Sequence, residues 1–392
     1  MSFIDDYLTY TSVYESPKSF WKWSAYCAIA AVLRDNVYRG KGVHAVYPNF
    51  YVLLLAASAE HRKGNPVRLC EYLVTQIKNT KIISGRSSIQ AILDELARSE
   101  MNPVSGESIS GGSAFFSVQE LTAGIVNDPE AVKILTDIYD FREEYTSRLR
   151  GTGTFRIKNI CFTMMAASNE ELLKDVYDSK ALFGGLIGRT FLIKPDEFRP
   201  GNSLFRFEEN SVNLKNLVDQ LHRFSLIKGE FSFEETAIES YERWYHPFRE
   251  SYRNRTDKSG VSGRIHISIL KLAMILCIND TIDIRIYAKH IEQAIEECMA
   301  LIPNYQSYVM GGGRSPLSEV STIVITAIYE SSGHIISRKD LLQRNWSSFD
   351  AETLDKVMTT LTQAGMIEEK MSQTGLEYKM TEKCIELLFK KG

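Results

Sequence analysis

An α/β fold with a parallel central sheet, a helical region after it and a small helix-and-strand module at the end is predicted by three observations. Phe50 to Ala56 is a short unbroken apolar run rich in β-formers, as expected of a strand buried on both faces. Comparable runs follow at Ala114 to Leu121, Cys161 to Ala167 and in the stretch from Phe183 to Ile193, with helical patterns between them. Apolar residues at helical spacing then dominate the second half, and Gly311 to Pro316 (GGGRSP) sets off a last segment as a linker would.

With 392 residues, 44% of them hydrophobic, the chain can bury a large core and form two or three domains. No apolar run is long enough to span a bilayer and the N-terminus carries no charged-then-apolar signal. A soluble, cytoplasmic protein with no membrane partner is therefore expected. The six cysteines, 27, 70, 161, 277, 298 and 384, sit singly in apolar or helical stretches. They read as buried reduced thiols, since no C-x-x-C pair suggests zinc or a disulfide frame. A net charge of −3 argues against a protein coated in nucleic acid, so DNA binding requires a local basic cluster.

Residues 1 to 45 begin with an acidic, tyrosine-rich segment and continue as a helix from Pro17 to Arg34. Phe20, Ser24, Cys27 and Ala31, with Trp21, Ala25, Ala28 and Val32, form one broad apolar face, read as a helical collar on a core domain of residues 46–200. After the first strand come small residues (Ala56, Ala57, Ser58, Ala59), the basic pair Arg62 and Lys63, and Pro66 at a helix start. This is the layout of a P-loop, in which backbone amides and a helix N-terminus hold phosphates and a lysine reaches the terminal ones. Ser58, Arg62, Lys63 and Asn65 are its candidate cofactor-binding residues. The pattern G-x-x-x-x-G-K-[ST] asks for glycine at 57 and 62 and a hydroxyl at 64, where this chain has Ala57, Arg62 and Gly64.

Helices are expected at Val67 to Ile77 and Ser87 to Ser99, and an exposed loop from Met101 to Ser113. The strand from Ala114 ends in Gln119 and Glu120. In P-loop ATPases such a strand ends in an acid that organises magnesium, followed by an acid that polarises water. Glu120 suits the second role, while Gln119 is a neutral amide that binds magnesium poorly. A helix from Val132 to Phe141 leads to TSRLRGTGTFRIKNICF, a hairpin turning at Gly151 to Gly153. Arg148, Arg150, Arg156 and Lys158 make it the most basic cluster in the chain, either simply solvated or aimed at a phosphate backbone. Cys161 to Ala167 ends in Ser168 and Asn169, and Asn169 suits either the orientation of water and γ-phosphate or the capping of a helix opened by Glu170 and Glu171. Arg189 precedes the fourth strand, a place suited to an arginine reaching a neighbouring subunit's nucleotide.

FWKWSAYCAIAAVL, YPNFYVLLLAASAEHRK, AFFSVQEL, the basic hairpin, FTMMAASNEELL and GGLIGRTFLI together resemble the AAA-type ATPase domain of phage and plasmid helicase-primase and replication proteins, a group distantly similar to MCM-type helicases. The resemblance covers about Ser19 to Lys194, and residues 201–310 fit the family's helical lid. It implies ATP and magnesium as cofactors, Lys63 as the phosphate lysine, Glu120 as the Walker B glutamate, Asn169 as first sensor and Arg189 as arginine finger. It places Arg264, at the start of a lid helix, as second sensor, and the hairpin as a DNA-facing pore loop. Gly64 and Gln119 both depart from the pattern on the magnesium side.

Residues 316–392 read as a winged helix. Its third helix begins Asp350-Ala-Glu-Thr-Leu-Asp355, which puts negative charge where a recognition helix meets the groove, so protein docking is favoured over base reading. Arg338, Lys339 and Arg344 leave room for a backbone contact only. The expectation is a homo-oligomeric ring, hexameric, acting on single-stranded or forked DNA in replication of a mobile element, with a primase or replication protein docked by the C-terminal domain. The alternatives are a non-hydrolysing assembly or DNA-binding module of the same fold and a winged-helix transcription regulator.

Overall fold

The computed structural model describes residues 2–40, 42–57, 60–85, 87–98, 100–101, 108–109, 111–121, 125, 128–140, 142–149, 153–170, 183–199, 212–253, 259–305, 316–372 and 375–388. The chain divides into two compact units, Met1–Gly312 and Gly313–Gly392. The first is mixed α/β with a mostly parallel sheet. Its strands are β1 (Val37–Tyr38), β2 (Tyr51–Leu55), β3 (Lys81–Ser84), β4 (Glu100–Met101), β5 (Ser108–Ile109), β6 (Ser113–Val118), β7 (Arg142–Leu149), β8 (Gly153–Ser168), β9 (Thr190–Ile193), β10 (Gly229–Glu230), β11 (Ser232–Phe233) and β12 (Arg285–Ile286).

The central sheet runs in the order β3-β6-β8-β2-β9, every adjacent pair parallel, with β7 antiparallel to the first half of β8. All five residues of β2 are buried, because helices cover both faces of a parallel sheet. β8 does two jobs along its sixteen residues. Gly153 to Ile160 pairs with β7 as a hairpin whose Tyr145, Phe155, Ile157 and Ile160 are buried in the core, and Cys161 to Ser168 runs between β6 and β2. Asn159 takes a left-handed φ of 52° at the changeover.

Helices of the first half include α1 (Phe3–Tyr10), α2 (Lys18–Leu33), α3 (Gly64–Thr75), α4 (Ile89–Ala97) and α5 (Pro129–Asp137), the last standing where a helix from Val132 to Phe141 was expected. α2 was expected to bury one broad face. It is buried almost all round rather than on one face, as suits a helix whose whole surface is apolar or small. The helices Leu214–Ser225, Glu235–Tyr252, Ile265–Thr281 and Ala288–Ala300 add their apolar faces to the same core as the sheet. Ile265–Thr281 is likewise enclosed over its middle.

Other readings change in detail. β3 has only four residues and carried no periodic signal strong enough to mark it. β4 and β5 pair antiparallel where a plain loop was expected, and the buried Gly112 packs where a Cβ would lie 2.6 Å from Ile157. The hairpin starts earlier than its basic core, at Arg142, which brings in Glu143 and Glu144 and sets Glu144 opposite Lys158. All six cysteines are buried and free. Among the described residues no helix is long and apolar enough to cross a membrane.

The second unit has its own core. Its elements are the helix Pro316–Tyr329, β13 (Ile335–Ser337), the helices Arg338–Arg344 and Ala351–Gln363, β14 (Ile367–Ser372), β15 (Gly375–Met380) and the helix Glu382–Leu388. The three strands form an antiparallel sheet in the order β13-β15-β14. Asp350 accepts from the Thr353 amide at 2.8 Å and so caps the helix it precedes. Arg338 is committed to Asp355 through both carboxylate oxygens.

One buried cation ties the helical half to the sheet. Lys271, in the middle of Ile265–Thr281, donates to Asn49 Oδ1 at 2.8 Å and lies 3.9 Å from the centre of the Tyr139 ring. Asn49 in turn donates to the carbonyls of Tyr139 and Phe162. Burial pushes the Lys271 ammonium down to about 7. The folded state therefore binds this proton less tightly than the unfolded chain, and the full penalty is present below pH 7 and fades as pH rises towards the ordinary lysine value. Relative to Lys271→Met, the wild type is expected to gain about 2 kcal/mol of unfolding free energy between pH 7 and 9. Denaturant melts of both proteins across that range check this, and parallel pH profiles would contradict it.

Candidate functional site

Parallel strands release their following loops at one edge, and here that edge collects the residues singled out from the sequence. Leu55 pairs with Ser168, and Ala166 with Val118, so the chain leaves β2, β6 and β8 at nearly one level. The Leu121 amide then donates to Ala167 O at 2.7 Å, which folds the segment Gln119 to Leu121 across the end of β8. Lys63, Gln119, Glu120 and Asn169 are thereby gathered around the central strand's end. Ser58 lies outside the described residues.

Lys63 is half-buried at the start of α3, and its ammonium turns back onto the end of β2, donating to Ala56 O at 3.0 Å and Ala57 O at 3.4 Å. Burial lowers its pKa, while the nearby Glu120 carboxylate opposes that shift. A partly desolvated ammonium bonded to carbonyls is a ready partner for an anion. Glu120 is exposed beside it. Asn65 is exposed in the first turn of α3, its amide donating to Arg62 O.

The residue before the lysine explains a departure from the motif. Arg62 adopts a φ of 45°, the left-handed conformation for which glycine is preferred. Two contacts from the N-terminal segment hold it there. Glu15 accepts from Arg62 Nε at 2.9 Å, and the Ser16 hydroxyl donates to Arg62 O at 3.1 Å. A buried relay braces the next turn, with Tyr7 OH 2.6 Å from Ser24 Oγ and Ser24 Oγ donating to Pro66 O at 2.8 Å.

Magnesium, which the resemblance implies, does not fit this donor set. Gly64 offers no side chain, and Gln119 Oε1 accepts from Arg68 Nε at 3.2 Å. Glu71 is engaged by the Ser117 hydroxyl at 2.7 Å. Among the described residues no group of three His, Cys, Asp or Glu side chains could hold a metal ion. Arg68 was not singled out from the sequence, because an arginine on the exposed face of a helix carries no distinguishing pattern. Nor was the cavity of about 350 Å³ beside it, lined by Tyr10, Tyr14, Trp21, Asn65, Arg68 and Leu69 among others.

Arg189 and Arg264 lie elsewhere. Thr190 pairs with Tyr51, so Arg189 sits level with the beginning of β2, at the opposite edge of the sheet from Lys63. It donates to Asp140 Oδ2 at 2.8 Å and Gly185 O at 3.0 Å and reaches over the Tyr139 ring. Arg264 donates to Gly260 O, and that same carbonyl lies 2.9 Å from where a Cβ on Gly188 would be. Both guanidinium groups act on the Tyr139 hydroxyl, so they share one neighbourhood. Neither reaches a phosphate held by Lys63 of its own chain.

On the hairpin, Arg156 and Lys158 are exposed on β8, Arg156 opposite Thr146 and Lys158 opposite Glu144. Arg148 is on β7 opposite Thr154, and Arg150 lies outside the described residues. The basic face is thus diluted by one cross-strand acid. The chain matches no protein-family model and no curated protein sequence.

If backbone strain at Arg62 is offset by its two contacts, then Arg62→Ala loses the ion pair and keeps the strain, whereas Arg62→Gly loses both. Arg62→Gly is expected to be more stable than Arg62→Ala by about 1 kcal/mol. Equal chemical-denaturation midpoints for the two variants would contradict the strained geometry.

Proposed function

We propose that this chain is a nucleoside-triphosphate-binding P-loop protein of AAA type, assembling as a ring that works on DNA during replication of a mobile element. One observation carries the reading. The strand order β3-β6-β8-β2-β9 sets the strand of Asn169 between those of Lys63 and Glu120, so that a lysine, a carboxylate and an amide converge on one edge. In this reading Lys63 Nζ exchanges its carbonyl partners for phosphate oxygens, Asn169 and Glu120 orient water, and Asn65 and the aromatic cavity beside it receive the remainder of the ligand. Bound ATP supplies the phosphoanhydride chemistry.

The position of Arg189 and Arg264 at the far edge supports a site completed between subunits. A neighbour packing its far edge against this near edge would deliver both arginines together, provided the Arg189–Asp140 pair opens. The exposed Arg156 and Lys158 support a hairpin that meets a nucleic-acid backbone. The element order of the second unit supports a winged helix used for docking, since Asp350 and Asp355 are already committed within it. A second reading, a non-hydrolysing assembly module of the same fold, is favoured by one contact: Arg68 holds Gln119 where a hydrolytic site would want a metal ligand.

Lys63→Ala is expected to weaken ATP binding by at least about 10-fold, through loss of a charge-assisted contact. It should also remove any rise in particle mass that an ATP analogue induces in the wild type. Mass measurement and nucleotide titration of both proteins test this. Unchanged binding in the variant would contradict the site, and an unchanged wild-type mass would contradict the ring. Turnover measured with and without single-stranded DNA decides between the hydrolysing and non-hydrolysing readings.

A further inference from the structure

The residues on the magnesium side of the candidate site are arranged around a cation that the chain itself supplies. Gly64 opens α3, and a Cβ at that position would meet only Gln119 Oε1, at 3.5 Å, an ordinary contact. Arg68 stands one helical turn further along the same face, and its Nε points to that same oxygen at 3.2 Å. Gly64, Arg68 and Gln119 therefore form one cluster. In it the missing hydroxyl of residue 64, the neutral amide of residue 119 and the positive charge of residue 68 meet around a single oxygen. The three departures belong together: a carboxylate at 119 would pair with Arg68 and cancel its charge. The neutral amide orients the guanidinium through one donor and leaves the others for a ligand.

We infer that the site takes the polyphosphate of its nucleotide without a divalent cation, with the Arg68 guanidinium in the cation's place beside Lys63. This rests on the reading of the loop as a nucleotide site and deepens it. A guanidinium bears one positive charge and several fixed donors, which match phosphate oxygens in pairs. It can hold a triphosphate firmly, yet it does not supply the water-activating or bridging chemistry of a metal ion. The inference thus predicts binding without rapid turnover.

Fluorescence titration of the full chain with a fluorescent ATP analogue, in EDTA and in excess magnesium, tests this. Wild-type affinity is expected to agree within about threefold between the two buffers. Arg68→Ala, a change on an exposed face, should weaken binding in EDTA by about 10-fold or more, and Arg68→Lys by less. Gly64→Ser combined with Gln119→Asp and Arg68→Ala, which frees the new carboxylate, should make binding magnesium-dependent, since the Cβ at 64 is accommodated. A wild type that binds only with magnesium, or an Arg68→Ala protein that binds in EDTA as well as wild type, overturns the inference and leaves the nucleotide site standing. Failure of the wild type to bind in either buffer overturns the nucleotide site, and the inference with it.

Discussion

The parallel insertion of β8 between β6 and β2 is the constraint on which the rest depends. Because all three run the same way, their following segments leave at one edge, and Lys63, Glu120 and Asn169 meet there although Lys63 and Asn169 lie 106 residues apart in sequence. A reversed β8 would send Asn169 to the far edge. Both faces of this stretch are buried, Met164 on one side and Met165 on the other. The same strand also forms half of the hairpin, so the basic surface and the candidate site share one continuous piece of backbone.

The second support is the N-terminal segment. It grips the loop at Arg62 through Glu15 and Ser16 and braces the first turn of α3 through Tyr7 and Ser24. These contacts let a non-glycine residue occupy a left-handed position and fix where Lys63 begins the helix. The opposite edge has its own cationic set, Arg189, Arg264 and Lys271, gathered around Tyr139 and Asp140.

Much of the architecture was legible because burial on both faces leaves continuous apolar runs, and β2, β6, β8 and β9 stand out as such. Strand order was not legible: periodicity reports the local period, and pairing is decided by contacts distant in sequence. α2 and Ile265–Thr281 were read as amphipathic because spaced apolar positions were found. Their full enclosure shows only when the small residues between, such as Ala25, Ala28 and Ala30, are seen to be buried as well. At the site, Lys63 and Glu120 were readable from spacing, whereas Arg68 looked like any surface arginine and Arg62 gave no sign of its φ. Arg264 was placed by analogy near the phosphates, and its far-edge position follows from the packing of Gly260 on Gly188, two glycines whose close approach no spacing announces.

The most direct test of the account is hydrogen–deuterium exchange of the full chain with and without ATP, which reads where the ligand sits without assuming turnover. The account predicts slowed exchange in residues 60–70, 117–121 and 164–169, the segments that meet at the near edge of the sheet. Unchanged exchange there, or protection confined to the second unit, would contradict it.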